Sequence, residues 1–196
     1  MPYVFYKRCL DLLIAVVGIT LLLPGMVILS ILLVWIYKEN PFFTQIRPGK
    51  HGRSFTIYKF KTLSAPTHPA QTDAERITYI GYLLRKYSVD ELPQLLNVIK
   101  GDMSIIGPRP LLLEYLPLYG PHHFNRHQVK PGMTGWAQVH GRNDLPWEEK
   151  FTLDIWYVNN ISFLIDLKII CLTLIKICTG EGVYPKENLF VQKYNK

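Results

Sequence analysis

Residues 12–37 form a stretch of 26 positions with no charge, almost all of them apolar, and charge returns only at Lys38. As a straight helix the stretch would be about 39 Å long, more than the ~30 Å hydrocarbon core of a bilayer. The pattern predicts a membrane segment. A cleavable signal peptide is the competing reading, but the run is about twice the usual length of such a region and no Ala-x-Ala-type site follows it. Pro24, followed by Gly25, lies near its middle, where a proline removes a backbone hydrogen bond and bends the helix. Lys7 and Arg8 stand before the stretch and Lys38 after it. Positive residues favour the cytoplasmic side, so basic flanks at both ends predict a hairpin that enters and leaves by one face, with Pro24 deepest. A kinked spanning helix is the alternative.

Beyond Asn40 the pattern changes. Residues 41–49 and 54–62 read as short extended segments around the turn Gly49-Lys50-His51-Gly52. Residues 64–75 read as a polar surface loop, 76–87 as a helix carrying Arg85 and Lys86, and the Asp90–Glu91 stretch as a helix closing near Gly101. A helix-like 111–118, a loop with His122, His123 and His127, and the Gly-rich segment 130–143 follow. The apolar segment 161–178 is interrupted by Asp166, Lys168 and Lys176, so its uncharged run is too short to span. It fits a helix in the plane of the membrane interface, and equally a core helix of the soluble lobe. The expected fold is α/β, mainly α: a compact membrane-associated lobe, residues 40–196, with amphipathic interfacial helices, behind a re-entrant membrane helix at 1–39.

Composition sharpens this picture in two places. The net charge of +7 points to an anionic partner, whether lipid headgroups, nucleotide diphosphates or nucleic acid. Cys9, Cys171 and Cys178 match neither metal-site nor disulfide spacing and read as buried or lipid-facing residues in a reducing compartment.

The candidate chemistry lies in 88–110, where the adjacent carboxylates Asp90 and Glu91 precede the rigid corner Gly107-Pro108-Arg109-Pro110. Ser88-Val89-Asp90-Glu91 fits a capping box, with Ser88 or Asp90 as N-cap, and capping is the commonest use of such residues. The same placement also suits chemistry, because a helix start favours both an ionised Asp and a bound phosphate. Sequence neighbours lie on different helix faces, so the two carboxylates can take separate jobs. Arg85 and Arg109 supply guanidinium groups, which grip phosphate in a two-pronged geometry that lysine cannot reproduce. Lys59 and Lys61 share one face of a strand-like segment and offer a further phosphate contact, or a solvent-exposed face. The three histidines have no zinc spacing and read as a solvated loop. The Gly-rich segment, with Gln138 and Arg142 as its polar candidates, suits a nucleotide or sugar pocket as well as a packed turn. No Walker loop, dinucleotide fingerprint or Gly-x-Ser-x-Gly elbow is present.

Seven motifs together carry a resemblance: Tyr6-Lys-Arg-Cys-Leu-Asp11, Phe43-Thr-Gln-Ile-Arg-Pro-Gly49, Tyr58-Lys-Phe-Lys-Thr62, Ser88-Val-Asp-Glu-Leu-Pro-Gln94, Gly101 to Pro110, Lys130-Pro-Gly-Met-Thr-Gly135, and Leu164-Ile-Asp-Leu-Lys168. The chain resembles the bacterial sugar transferases, the monotopic phosphoglycosyl transferases, in a minimal form without extra membrane helices. Within them it is similar to enzymes that load N-acetylated bacillosamine phosphate for protein glycosylation. The resemblance implies transfer of a sugar 1-phosphate from a UDP-sugar to polyprenyl (undecaprenyl) phosphate with release of UMP. It implies Asp90 as nucleophile, Glu91 as its partner, Mg²⁺ at Asp90 and the diphosphate, and phosphate contacts from Arg85 and Arg109. It places the protein on the cytoplasmic face of the bacterial inner membrane, among downstream glycosyltransferases and without a nucleic-acid partner. Relatives often carry Ser-Pro at the helix break, whereas here Leu23 precedes Pro24. A non-catalytic basic membrane-binding module is the alternative from another class, and a ternary-complex enzyme is a third.

Overall fold

The computed structural model describes residues 2–141 and 144–179. The uncharged stretch forms α1 (Pro2–Tyr37), the one helix among the described residues long and apolar enough to cross a membrane. It runs through Pro24 without interruption, so the predicted hairpin break is not seen as a break in helical structure. A proline removes one N–H, and the surrounding turns keep theirs. Hydroxyls flank the site even though position 23 has none: Thr20 Oγ1 donates to Val16 O at 2.9 Å and Ser30 Oγ to Met26 O at 2.7 Å. Such back-bonds bend helices slightly.

Both ends of α1 pack on the same lobe. Near the N-terminus Arg8 Nη1 donates to Val98 O at 2.7 Å, and Asp11 Oδ1 accepts from Ser104 Oγ at 3.0 Å and Ile105 N at 2.9 Å. Near the C-terminus Leu33 is fully buried with Phe60 and Leu84, and Tyr37 shares a 2.7 Å hydrogen bond with Thr78. Between these anchors Leu21, Leu23 and Ile28 stand exposed.

Strands β1 (Phe42–Pro48) and β2 (Ser54–Phe60) form the expected antiparallel hairpin, Phe42 opposite Phe60 and Pro48 opposite Ser54. Its turn needs left-handed backbone at His51 and Gly52, with φ of 57° and 74°, which explains the glycine. The predicted loop at 64–75 contains the start of a single-turn helix, α2 (Asp73–Arg76), closed by a Thr72–Glu75 capping box. Next, α3 (Tyr79–Lys86) starts three residues later than predicted, because Thr78 Oγ1 caps it by accepting from Gly81 N. A 3₁₀ turn (Val89–Gln94) leads into α4 (Leu95–Lys100), which ends at Gly101 with φ 91°.

A second sheet pairs β3 (Ser104–Ile106) in parallel with β4 (Gly132–Thr134). Between them lie a 3₁₀ turn (Leu113–Leu118) where the sequence predicts helix, α5 (Pro121–Phe124) and a 3₁₀ turn (Asn125–Gln128). Then come α6 (Trp136–His140), α7 (Trp147–Asn159) and α8 (Phe163–Thr179). A Cβ on Gly132 would strike the backbone of Gly107, so only glycine lets these short strands approach so closely.

Helix α8 packs one face into the core, as the core-helix reading expects, and leaves other apolar side chains exposed. Ile169 is fully buried with Ile106, Val139 and Tyr157, while Leu164, Leu174 and Ile175 stay exposed. Buried Asp166 accepts from Tyr3 Oη and Lys7 Nζ, both at 2.6 Å, and from Tyr157 Oη at 2.7 Å. The first and last motifs of the chain are thus one contact, which seats α1 against α8. The solvated reading of the histidine loop fails at His127, which is buried, stacks on Tyr119 and shares its Nδ1 with Gly49 O at 3.0 Å. All three cysteines are exposed, on α1 and α8, so the buried reading does not hold for them.

Candidate active site

The carboxylate pair is not a helix cap. Ser88 has left-handed backbone, φ 56°, and makes no side-chain cap bond. Glu91 Oε1 instead accepts from Lys59 Nζ of β2 at 2.6 Å and from Arg109 Nη2 at 2.8 Å. The 3₁₀ turn holds the pair in place: Val89 and Leu92 pack on the Leu33–Phe60–Leu84 cluster, and Pro93 is buried beneath it. Asp90 is 7 % exposed and, among the described residues, has no hydrogen-bond donor on its carboxylate.

The two acids differ in charge state because their surroundings differ. Burial, and then the Glu91 charge, push the Asp90 pKa up to about 6, against the pull of Lys59, Arg85 and Arg109. Burial raises Glu91 too, but the charges and hydrogen bonds of Arg109 and Lys59 outweigh it and hold its carboxyl well below the usual range. Glu91 stays ionised while Asp90 titrates near neutrality.

The structure gathers Asp90, Glu91, Lys59, Arg85 and Arg109 around one spot. Arg85 Nε donates to Thr62 Oγ1 at 2.9 Å. Arg109 is 46 % exposed in its side chain and spends one N–H on Glu91, leaving the rest of its fork open. Lys61 departs from the shared-face reading: it lies past the end of β2 and pairs with Glu39. Gln138, on α6, donates to Met133 O at 3.0 Å, and no interaction joins it to the carboxylates. Arg142 lies outside the described residues. The sequence reading misses Arg47, whose guanidinium feels the charges of both Arg109 and Glu91. Its one signal was the Arg-Pro pair at 47–48, which repeats Arg109-Pro110.

No group of three or more His, Cys, Asp or Glu side chains that could hold a metal occurs among the described residues. Mg²⁺ does not need such a group, since it usually takes one or two carboxylates and completes its shell with substrate phosphate and water. Among the described residues Asp90 has no donor on its oxygens, which leaves that carboxylate open to a cation.

A buried acid thus lies beside an ionised partner and several cations, next to the end of an apolar helix. Residues 2–180 match the bacterial sugar transferase family. The chain belongs to this family. As a bacterial sugar transferase it is 53 % identical over 156 residues to the sugar transferase EpsL of Bacillus subtilis, covering 78 % of this chain and 77 % of EpsL. It is 39 % identical over 194 residues to the UDP-N-acetylgalactosamine-undecaprenyl-phosphate N-acetylgalactosaminephosphotransferase of Aeromonas hydrophila. It is 38 % identical over 200 residues to the UDP-galactose-lipid carrier transferase of Erwinia amylovora. Each of these two matches covers 92 % of this chain but only 45 % and 42 % of the relative, so the chain spans less than half their length. The special likeness to bacillosamine-loading sugar transferases is not carried by these relatives, whose names give N-acetylgalactosamine and galactose.

Proposed function

We propose that this sugar transferase moves a sugar 1-phosphate from a UDP-sugar to polyprenyl phosphate in two displacements at Asp90. In the first, an Asp90 oxygen attacks the β-phosphorus, the bond from that phosphorus to the bridging oxygen breaks, and UMP leaves. In the second, a phosphate oxygen of the polyprenyl acceptor attacks the same phosphorus, Asp90 leaves, and polyprenyl diphosphate-sugar forms. The observation that carries this reading is the contrast between the acids: Glu91 is locked by Lys59 and Arg109, whereas Asp90 is buried, unpartnered among the described residues and able to ionise near neutral pH. Arg109, Arg85 and Lys59 oppose the charge of the diphosphate. Bound at Asp90 and the diphosphate, Mg²⁺ would supply further charge neutralisation. The reading extends to an N-acetylated amino or diamino sugar, to the first membrane step of glycan assembly and to downstream glycosyltransferases that take up the product. The test is a screen of UDP-sugars with undecaprenyl phosphate, scored by Mg²⁺-dependent UMP release. Release from one sugar supports the reading, and release from none leaves the non-catalytic membrane-binding module.

Only ionised Asp90 is a nucleophile, so kcat/KM with respect to the UDP-sugar should fall as pH drops through about 6, tenfold per pH unit below it. Removing the positive charge of Lys59 should move this limb to higher pH, because Lys59 lowers the Asp90 pKa. An acid limb that stays put when the Lys59 charge is removed would contradict the assignment.

We further propose that α1 is re-entrant, on the cytoplasmic face of the inner membrane. Support comes from Arg8 and Asp11 at one end and Leu33 and Tyr37 at the other, all packed on one lobe, with the apolar exposure between them around Pro24. A cysteine at position 3 should therefore be labelled from the same side as one in the 64–75 segment. Replacing Pro24 by Leu should push the N-terminus toward the opposite face and reduce activity. Opposite-side labelling of the unsubstituted helix would exclude the hairpin.

A further inference from the structure

Three successive carbonyls at the corner that carries Arg109 are each held by a donor from a different part of the fold. Gly132 N donates to Pro108 O at 3.0 Å, Arg126 Nη2 to Arg109 O at 2.7 Å, and Arg47 Nη1 to Pro110 O at 3.4 Å. Pro108 and Pro110 have no N–H, so within 108–110 backbone hydrogen bonds can come only from the carbonyls and the single N–H of Arg109, while Gly107 N donates to Thr134 O at 2.9 Å.

The middle prop is the most deeply set. Arg126 is 2 % exposed, and its Nε and Nη2 both bond Asp154 Oδ2 of α7, at 3.0 and 2.6 Å. Its Nη1 reaches Tyr119 Oη at 3.4 Å, and the Phe151 ring lies 5.7 Å from the guanidinium carbon. Desolvation consumes most of what such an ion pair gains, so stability is a poor reason for its presence. One edge of the fork is spent on Asp154, and the remaining Nη2 proton is aimed at the backbone of the phosphate-binding residue.

We propose that Arg126, locked by Asp154, is a positioning residue: it fixes the backbone from which Arg109 reaches substrate phosphate, with Arg47 as a second prop at Pro110. The role rests on the transferase reading above. A lysine at 126 keeps the charge opposite Asp154 but has no second arm for the Arg109 carbonyl. Arg126→Lys therefore separates the ion pair from the aiming function.

The test is a double-mutant cycle on the full chain in detergent or membranes, with wild type, Arg126→Lys, Arg109→Gln and the double variant. The readout is UMP release from the UDP-sugar that the wild type accepts, with undecaprenyl phosphate as acceptor, alongside the melting temperature. Arg126→Lys should raise KM for the UDP-sugar and lower kcat/KM about tenfold or more. In the Arg109→Gln background it should cost nothing further, because the side chain it aims is gone. An equal loss in both backgrounds would show that Arg126 acts through stability or another route, and would overturn the role. Should Arg126→Lys melt below the assay temperature, Arg47→Gln, on the partly exposed hairpin, goes through the same cycle with the same opposing outcomes. Wild-type protein without turnover on any UDP-sugar would instead count against the proposed function, so the two failures are distinguishable.

Discussion

Asp90→Asn is expected to lower turnover by about 10³-fold or more, because an amide cannot form the covalent bond to phosphorus on which both proposed displacements depend. The fold should survive. The folded pKa of Asp90 is raised, so whatever stability is linked to its protonation is present at acid pH and is lost as pH rises through about 6. At pH 8 the wild type carries the full cost of a buried charge that asparagine does not have. Asp90→Asn should therefore melt at the same temperature as wild type at pH 8, or higher. Wild-type protein given UDP-sugar without acceptor should gain the mass of a phosphosugar, seen by intact-protein mass spectrometry after acid quench, and Asp90→Asn should not. Substantial steady-state turnover by the variant, or an adduct on it, would remove Asp90 from the role of nucleophile.

What the sequence makes legible here is what short-range physics decides. The absence of charge from 12 to 37 is enough to define α1, and Gly52 and Gly101 mark a turn and a helix end because their φ values, 74° and 91°, exclude most side chains. The two small-strand hairpin segments follow from their extended, turn-bounded pattern. Ser88 and Glu91 show where local rules lose. Their spacing is that of a capping box, but Glu91 finds Lys59, 32 positions back, and Arg109, 18 positions on, and these cations outcompete one backbone N–H. The residues of the candidate site were nameable from type and spacing. Which acid would be locked and which free was not, since that depends on partners brought together by the fold.

The same limit hides the supporting structure. Arg126 and Asp154 are 28 positions apart, Lys7 and Asp166 are 159 apart, and His127 meets Gly49 across 78. Nothing local in a His-rich loop distinguishes a buried imidazole from a solvated one. Burial, with the nearby Arg126 charge, then lowers the His127 pKa to about 4, so it remains neutral throughout the working range of the site. The Gly-rich segment illustrates the converse. Gly132 and Gly135 are explained by close packing against Gly107, which gives the motif a structural role in placing Arg109 even where Gln138 stays apart from the carboxylates.

Arg109→Lys separates two ways in which this basic cluster could work. If the cluster were only a diffuse positive surface, a lysine would keep most of the activity. The geometry predicts otherwise: one Nη2 proton is committed to Glu91 and the side chain is otherwise exposed, so on the proposed reading one planar group would serve both the locked acid and substrate phosphate. An ammonium can serve one of these partners well but not both in fixed orientation. The loss should be about 1.5–3 kcal/mol, the range for a hydrogen bond to a charged group, or roughly 10- to 150-fold in kcat/KM. It should appear with an upward shift of the acid limb, because a less well placed cation lowers the Asp90 pKa less. Near-native kinetics with an unmoved limb would refute the clamp and leave Arg109 as one charge among several.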